Sequence, residues 1–211
     1  MKDQSRRSAL DILYNFHWMV PNEAARAMQP WAGGVEGFLK RRGIAAIINL
    51  RGRNDDLSWW KKETALAAKN AIAHLDAMLD SRRLPTRAML AGLVAAFDAA
   101  PRPFMVKCSG GQDRASFAAA LYLIHRDGWG ALEAARAQFA RFPYLHFPKR
   151  HQRWLKAFVD FAAEDAGGTP LAAWIDTVYT PERAKAWLDA NGLKDGYKAI
   201  FTAPTRSPFQ W

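Results

Sequence analysis

Three short apolar segments, separated by helical stretches, constrain the fold of this chain most strongly. They are residues 43–50 (GIAAIINL), 71–75 (AIAHL) and 104–108 (FMVKC). Near-continuous apolar runs of this length are typical of strands buried in a sheet that helices cover on both faces. Ala- and Leu-rich stretches with helical patterns follow each run. The order strand-helix-strand-helix-strand-loop-helix predicts an α/β fold with a small, mainly parallel sheet flanked by helices.

The boundaries of these helices are predicted from capping and stop residues. Ser58 is a suitable N-cap for the helix over residues 58–70, and Pro85 suits the first turn of the next helix. Gly128 is the expected stop of the helix that follows the third strand. From residue 130 onward only helices are predicted. We therefore divide the chain into a main α/β domain, residues 1–140, and a helical C-terminal extension, residues 141–211, packed on it.

The charge of the chain favours anionic partners. Lys and Arg number 30 against 20 Asp and Glu, which gives a net charge of +10 and a pI near 10.0. Such an excess favours nucleic acid, a membrane surface or phosphorylated substrates, and does not choose among them. The charge also allows peripheral contact with a membrane. No nucleic-acid-binding motif accompanies the dispersed basic runs, of which residues 5–7 (SRR) are the first, so no nucleic acid is expected.

Other features of the sequence limit the cofactors and the location that we predict. A single cysteine excludes an internal disulfide. The histidines, His146 and His151 among them, show no ligand spacing and are interpreted as surface or packing residues, so no metal and no cofactor are expected. No run reaches the roughly 18 apolar residues of a membrane span. Residues 1–19 are not predicted to form a signal peptide, and a cytoplasmic location is therefore expected.

The single cysteine, Cys108, ends the third predicted strand and precedes a loop of small residues. In that position it is a candidate nucleophile, because the N-terminus of the following helix favours a thiolate. The loop can turn its backbone N–H groups inward to bind an anion. Arg114 can add a bidentate guanidinium. The predicted phosphate-binding residues are Ser109, Gly110, Gly111, Gln112, Asp113 and Arg114.

The pattern C-x-x-G-x-x-R, formed here by Cys108, Gly111 and Arg114, resembles the signature of the cysteine-dependent protein tyrosine phosphatase superfamily. The segments MVPNEAARAMQP and FLKRRGIAAIINLRGRND resemble the opening of its compact dual-specificity-like bacterial members. The similarity covers about residues 17–140. It implies a dual-specificity phosphatase-like fold, with residues 1–140 as the catalytic domain, and hydrolysis of phosphate monoesters. The implied substrate is phosphotyrosine or another phosphorylated protein, or an anionic phosphorylated small molecule or lipid such as an inositol phosphate. The reaction would pass through a cysteinyl-phosphate that water then attacks.

Two positions depart from this family pattern. Lys107 stands where the family usually has histidine. Ala115 stands where the family has a serine or threonine whose hydroxyl stabilises the leaving thiolate, and Ser116 follows one position later. These departures keep open an alternative, a catalytically weak phosphate-binding regulatory module. A rhodanese-like sulfurtransferase is a second alternative, against which the spacing of Arg114 counts.

The resemblance also implies an aspartate that protonates the leaving oxygen from a loop after an earlier strand. Asp76 and Asp80 are the candidates in residues 74–85, and we favour Asp80 for its position before the helix. Asp113 can also be argued as an acid, although we interpret it as shaping the phosphate-binding loop or assisting water. Arg82 and Arg83 are expected to flank the pocket.

Overall fold

The computed structural model describes residues 8–30 and 34–202, and a five-stranded sheet lies at its centre. The basic run at residues 5–7 and the end of the predicted extension, residues 203–211, lie outside the described residues. The strands are β1 (His17–Val20), β2 (Ala24–Met28), β3 (Ala46–Asn49), β4 (Ala73–Asp76), β5 (Arg83–Leu84), β6 (Phe104–Cys108) and β7 (Ala199–Ile200).

The strand order of the central sheet is β1-β2-β6-β3-β4. The pairs β2–β6, β6–β3 and β3–β4 are parallel, and β1 alone runs antiparallel, at one edge. The predicted mainly parallel sheet is thus confirmed. The hairpin of β1 and β2 was not predicted, because the charged Arg26 interrupts its apolar pattern although this side chain is fully buried.

Helices cover both faces of the sheet and form two apolar clusters with it. The smaller cluster contains Phe38, Ile47 and Met105, and the larger one contains Phe97, Phe117 and other buried residues of the second face. The helices are α1 (Ala9–Leu13), α2 (Val35–Arg42), α3 (Ser58–Lys69), α4 (Arg87–Ala99), α5 (Asp113–Asp127), α6 (Leu132–Ala137), α7 (Trp154–Ala166), α8 (Leu171–Thr177) and α9 (Pro181–Ala190).

Two predicted helix starts were wrong by one or two residues. Ser58 is the first residue of α3, whose N-cap is Leu57, so Ser58 is not the cap. Pro85 lies outside α4, because the hydroxyl of Thr86 accepts a hydrogen bond from the Met89 N–H at 3.2 Å and caps the helix. Threonine is a strong N-cap residue, and its position decides where α4 begins. Gly128 ends α5 as predicted.

The C-terminal helices share the larger apolar cluster with the residues around the sheet. The ring of Trp154 packs against Phe117 with centroids 5.2 Å apart, and Phe158 contacts the same ring at 5.2 Å. The prediction that only helices follow residue 130 was wrong, because β7 pairs in parallel with β5 in a second, two-stranded sheet. Within residues 8–30 and 34–202, no helix is long and apolar enough to cross a membrane.

Candidate active site

Cys108 lies at the carboxyl end of β6, between β2 and β3. In open α/β sheets, ligands bind outside the carboxyl ends of the strands. The side chain is 3% exposed. The loop 109–112 connects it to α5, whose first residue is Asp113. The structure therefore places the predicted nucleophile, loop and arginine in one strand–loop–helix unit.

The buried guanidinium of Arg26 holds this loop from outside. Its Nη2 donates to the carbonyl oxygens of Gly111 at 3.0 Å and Gln112 at 3.3 Å. Asn15 also donates to the Gly111 carbonyl, at 3.1 Å. Carbonyl oxygens that are bound on the outside leave the peptide N–H groups of the turn free to face an anion on the inside. Arg26 is thus a site residue that the predicted set lacked.

Arg26 has three further partners that connect the loop to the rest of the protein. Nη2 donates to Ser116 Oγ at 2.7 Å, and Nη1 donates to the Gln138 carbonyl at 2.8 Å. The guanidinium carbon lies 4.4 Å from the ring centroid of Tyr144. Burial lowers the pKa of Arg26 to about 10, so the side chain stays charged at neutral pH. One cation therefore joins the loop, α5 and the segment after α6.

Gly111 is the loop position at which only glycine fits. Its φ is +64°, and a Cβ there would lie 2.5 Å from the Met28 nitrogen and 2.7 Å from the Ala27 carbonyl carbon. Both neighbours belong to the backbone of β2, which cannot move aside without disturbing the sheet. At Gly110, by contrast, φ is not positive and the nearest atom, in the Gln112 side chain, would be 3.7 Å away.

We expect Gly111→Ala to destabilise the protein by at least about 2 kcal/mol, since a left-handed backbone and a contact with a strand add their costs. The phosphate-binding loop should distort with it. Thermal unfolding and phosphate binding measure both effects. Gly110→Ala is the matched control and should change neither quantity appreciably. Equal losses in the two variants would contradict the assigned role of Gly111.

Two more guanidinium groups, those of Arg51 and Arg114, lie near the loop and Cys108. Arg114 Nη2 donates to Ser109 Oγ at 3.2 Å. Arg51, just after β3, lies with its guanidinium carbon 3.6 Å from the ring centroid of Trp59. Burial lowers the pKa of Arg51 to about 10, and the nearby charge of Arg114 contributes to this decrease. The negative charge of Cys108 raises the pKa of Arg51 and so opposes both effects. Two cations that repel each other beside a cysteine form a good environment for an anion.

Lys107 does not act as a cation within the loop. Its side chain is fully buried, and Nζ lies 2.6 Å from Glu63 Oε1 and 2.7 Å from Gln29 Oε1. Burial lowers the pKa of Lys107 to about 8, and the Glu63 carboxylate opposes that effect. His74 Nε2 lies 2.8 Å from the same carboxylate. Lys107 and Cys108 point to opposite faces of the sheet, as neighbouring strand residues do.

The three candidate acids have different surroundings. Asp76 accepts hydrogen bonds from Asn49 Nδ2 at 2.6 Å and from the Trp60 indole at 3.1 Å. Asp80 Oδ1 accepts from the backbone N–H groups of residues 82 and 83, at 2.7 and 3.1 Å, and so closes a turn. Asp113 accepts from Gln152 Nε2 at 2.8 Å.

Within the described residues, no group of three His, Cys, Asp or Glu side chains could hold a metal ion.

Comparison with known proteins gives matches among solved structures only. No family model and no curated protein matches the chain. TpbA from P. aeruginosa superimposes with a TM-score of 0.59 at 21% identity, covering 84% of this chain and 100% of TpbA. The catalytic core of SIW14 from S. cerevisiae gives a TM-score of 0.54 at 15% identity, covering 93% and 95% of the two chains.

A third match, Tk-PTP in its active form, has a TM-score of 0.51 at 14% identity and covers 69% of this chain and 95% of its own. All three are members of the cysteine-dependent protein tyrosine phosphatase superfamily. The protein therefore has the fold of that superfamily, as the sequence predicted.

Proposed function

We propose that the protein hydrolyses phosphate monoesters through a cysteinyl-phosphate on Cys108. The observation that carries the proposal is the single unit of nucleophile, anion-binding loop and Arg114, held open from outside by Arg26. The surroundings of the loop favour anionic substrates. A TpbA variant forms a complex with phosphotyrosine, and the PP-IP phosphatase SIW14 a complex with citrate. We accordingly include phosphoproteins and phosphorylated inositols or lipids among the substrates.

In the first step the Cys108 sulfur attacks phosphorus. An S–P bond forms while the P–O bond to the leaving group breaks, and an acid supplies a proton to the departing oxygen. The N-terminus of α5 favours negative charge on both the sulfur and the phosphoryl oxygens. Arg114 and the loop N–H groups bind those oxygens as charge spreads over them in the transition state. Water then attacks phosphorus and releases phosphate and the thiolate.

The second step lacks the usual hydroxyl partner for the leaving thiolate. Position 115 is alanine, and the hydroxyl oxygen of Ser116 accepts from Arg26 on the outer side of the loop. Ser109 Oγ accepts from Arg114. We therefore expect the intermediate to break down more slowly than it forms. This is also the feature that favours the alternative function, a phosphate-binding module with weak turnover.

Burst kinetics test the proposal. With an excess of an aryl phosphate, the wild type should release one equivalent of phenol rapidly and then turn over slowly, and quenched enzyme should carry phosphate on Cys108. Ala115→Ser should speed the slow phase about 10-fold or more, because a hydrogen bond to a charged group contributes about 1.5–3 kcal/mol. Phosphate or vanadate binding without any phenol release would instead show that the protein only binds phosphate.

A further inference from the structure

We propose that the segment after α6, together with the end of α1, forms a docking surface for an anionic lipid bilayer. Docking of this kind requires no phosphatase activity and so goes beyond the function proposed above. It is supported by the positions of the exposed apolar side chains, by the contacts that hold their segment in place and by the charges beside them.

Exposed large apolar side chains are confined to two short segments of the described chain. In α1, Ile12 is 68% exposed and Leu13 42%. After α6, Phe142, Leu145 and Phe147 are 73%, 36% and 53% exposed. We call these five residues the apolar patch. Single apolar residues scattered over a surface are normal, whereas a group of them marks an interaction site.

The two segments of the apolar patch meet at Tyr144. Asn15, just after α1, donates from Nδ2 to the Tyr144 carbonyl oxygen at 3.1 Å. The ring of His17, in β1, packs against the Tyr144 ring with centroids 5.0 Å apart. Because Asn15 also donates to the Gly111 carbonyl, the patch lies at the β1 edge of the sheet and borders the phosphate-binding loop.

The exposed rings belong to a segment that buried contacts fix to the protein. His146 is buried, and its Nδ1 lies 3.2 Å from the Phe139 carbonyl oxygen. On either side of Tyr144 and His146, the rings of Phe142 and Phe147 face each other with centroids 6.1 Å apart. Binding through rings that are already held outward costs little conformational entropy.

Cations lie on both sides of the exposed rings. Residues 134–159 contain no Asp or Glu. Arg141 directly precedes Phe142, and Lys149 follows two positions after Phe147. Both cations are exposed, and neither forms an ion pair within residues 8–30 and 34–202. Exposed Lys and Arg attract anionic headgroups, and aromatic rings favour the headgroup region of a bilayer.

A bilayer suits this surface better than a protein partner does. A stable protein interface buries about 800 Å² on each side and involves about 20–30 residues. The core of such an interface is also depleted of charged residues. Five apolar side chains flanked by cations are few for such an interface, but they are enough for shallow insertion among anionic headgroups.

Sedimentation with lipid vesicles tests the proposal on the full-length protein. The wild type should bind vesicles of phosphatidylcholine mixed with phosphatidylserine, and should bind phosphatidylcholine vesicles much more weakly. Added salt should weaken binding to the mixed vesicles, because it screens the attraction between the cations and the anionic headgroups.

Variants separate the contributions of the rings and of the cations. Phe142→Ser and Phe147→Ser should each lower the partition coefficient on mixed vesicles about 5-fold or more, since each removes a ring that leaves water on docking. Lys149→Gln should lower it about 5-fold on mixed vesicles only. Lys61→Gln is the matched control, because Lys61 is exposed on α3, which packs on β4 at the opposite edge of the sheet. It should change neither value.

The replaced side chains are exposed, so these variants should keep the Tm of the wild type and its turnover of soluble aryl phosphates. The proposal is overturned if the wild type sediments with neither kind of vesicle, or equally with both. Undiminished binding by the double variant Phe142→Ser/Phe147→Ser would also overturn it.

Two other outcomes can be told apart from these. A concentration-dependent dimer that the double variant loses, without vesicle binding, would show that a second copy of the chain covers the apolar patch, and would overturn the proposal. Selective binding to mixed vesicles by a wild type that does not turn over aryl phosphates would confirm the docking surface and overturn only the proposed function.

Discussion

Replacing Cys108 by serine is expected to lower kcat/KM for aryl phosphates by at least about 10³-fold. A serine hydroxyl is hardly ionised at neutral pH, so it is a far weaker nucleophile than a thiolate. The loop, Arg26 and Arg114 do not depend on the sulfur for their contacts, so the serine variant should still bind phosphate or vanadate. Initial rates and equilibrium binding measure the two halves of this expectation.

The control for this variant is its own stability. Cys108 is small and buried, and serine differs from it by one atom, so the midpoint of thermal unfolding should change only slightly. Loss of activity with intact phosphate binding and an unchanged Tm would assign the sulfur to the chemistry. A serine variant that kept more than about a tenth of the wild-type kcat/KM would rule out the cysteinyl-phosphate route.

Replacing Arg26 by methionine is expected to be the most destabilising of the changes considered, at about 3–5 kcal/mol. The carbonyl oxygens of Gly111, Gln112 and Gln138 and the hydroxyl of Ser116 would all lose a donor inside the protein. At about 2–4 °C per kcal/mol for a chain of this size, Tm should fall by roughly 6–20 °C. Phosphate affinity should fall as well, because the loop loses the partner that holds its carbonyls outward.

Arg126→Met provides the matched comparison. Arg126 pairs with Glu23 and Asp127 on the protein surface, where solvent screens such pairs. Replacing Arg126 removes only these surface pairs, so Tm should stay close to that of the wild type. Similar decreases of Tm in the two arginine variants would show that the buried contacts of Arg26 stabilise the protein no more than surface ion pairs do.

The sequence predicted the central strands because their composition carries the necessary signal. β3 and β6 are buried on both faces and read as apolar runs, and Gly128 ends α5 as a stop residue should. The β1–β2 hairpin was not predicted, because a charged residue in a sequence pattern indicates an exposed position, whereas Arg26 is fully buried. The two-residue strands β5 and β7 are too short to produce any periodicity.

The site shows the same division between local and distant information. Cys108, the loop and Arg114 are contiguous, so their spacing could be recognised and their placement anticipated. Asn15 and Arg26 contact the loop, and His146 and Gln152 contact Asp113 at the start of α5. All four lie far from these partners along the chain and meet them only after folding. His146 was interpreted as a surface or packing residue, because nothing in its neighbourhood along the sequence indicates an aspartate partner.

The residues after Asp80 are anchored on both sides by the C-terminal helices and β7. The Trp154 indole donates to the Ser81 carbonyl at 3.1 Å, the Lys198 N–H donates to the Arg82 carbonyl at 2.7 Å, and the Phe201 N–H donates to the Leu84 carbonyl at 2.9 Å. These hydrogen bonds fix the segment to the C-terminal part of the protein. If Arg82 and Arg83 flank the substrate as the sequence predicts, they do so from a segment that is already ordered. A substrate that binds beside an ordered segment loses less binding energy to immobilising a loop.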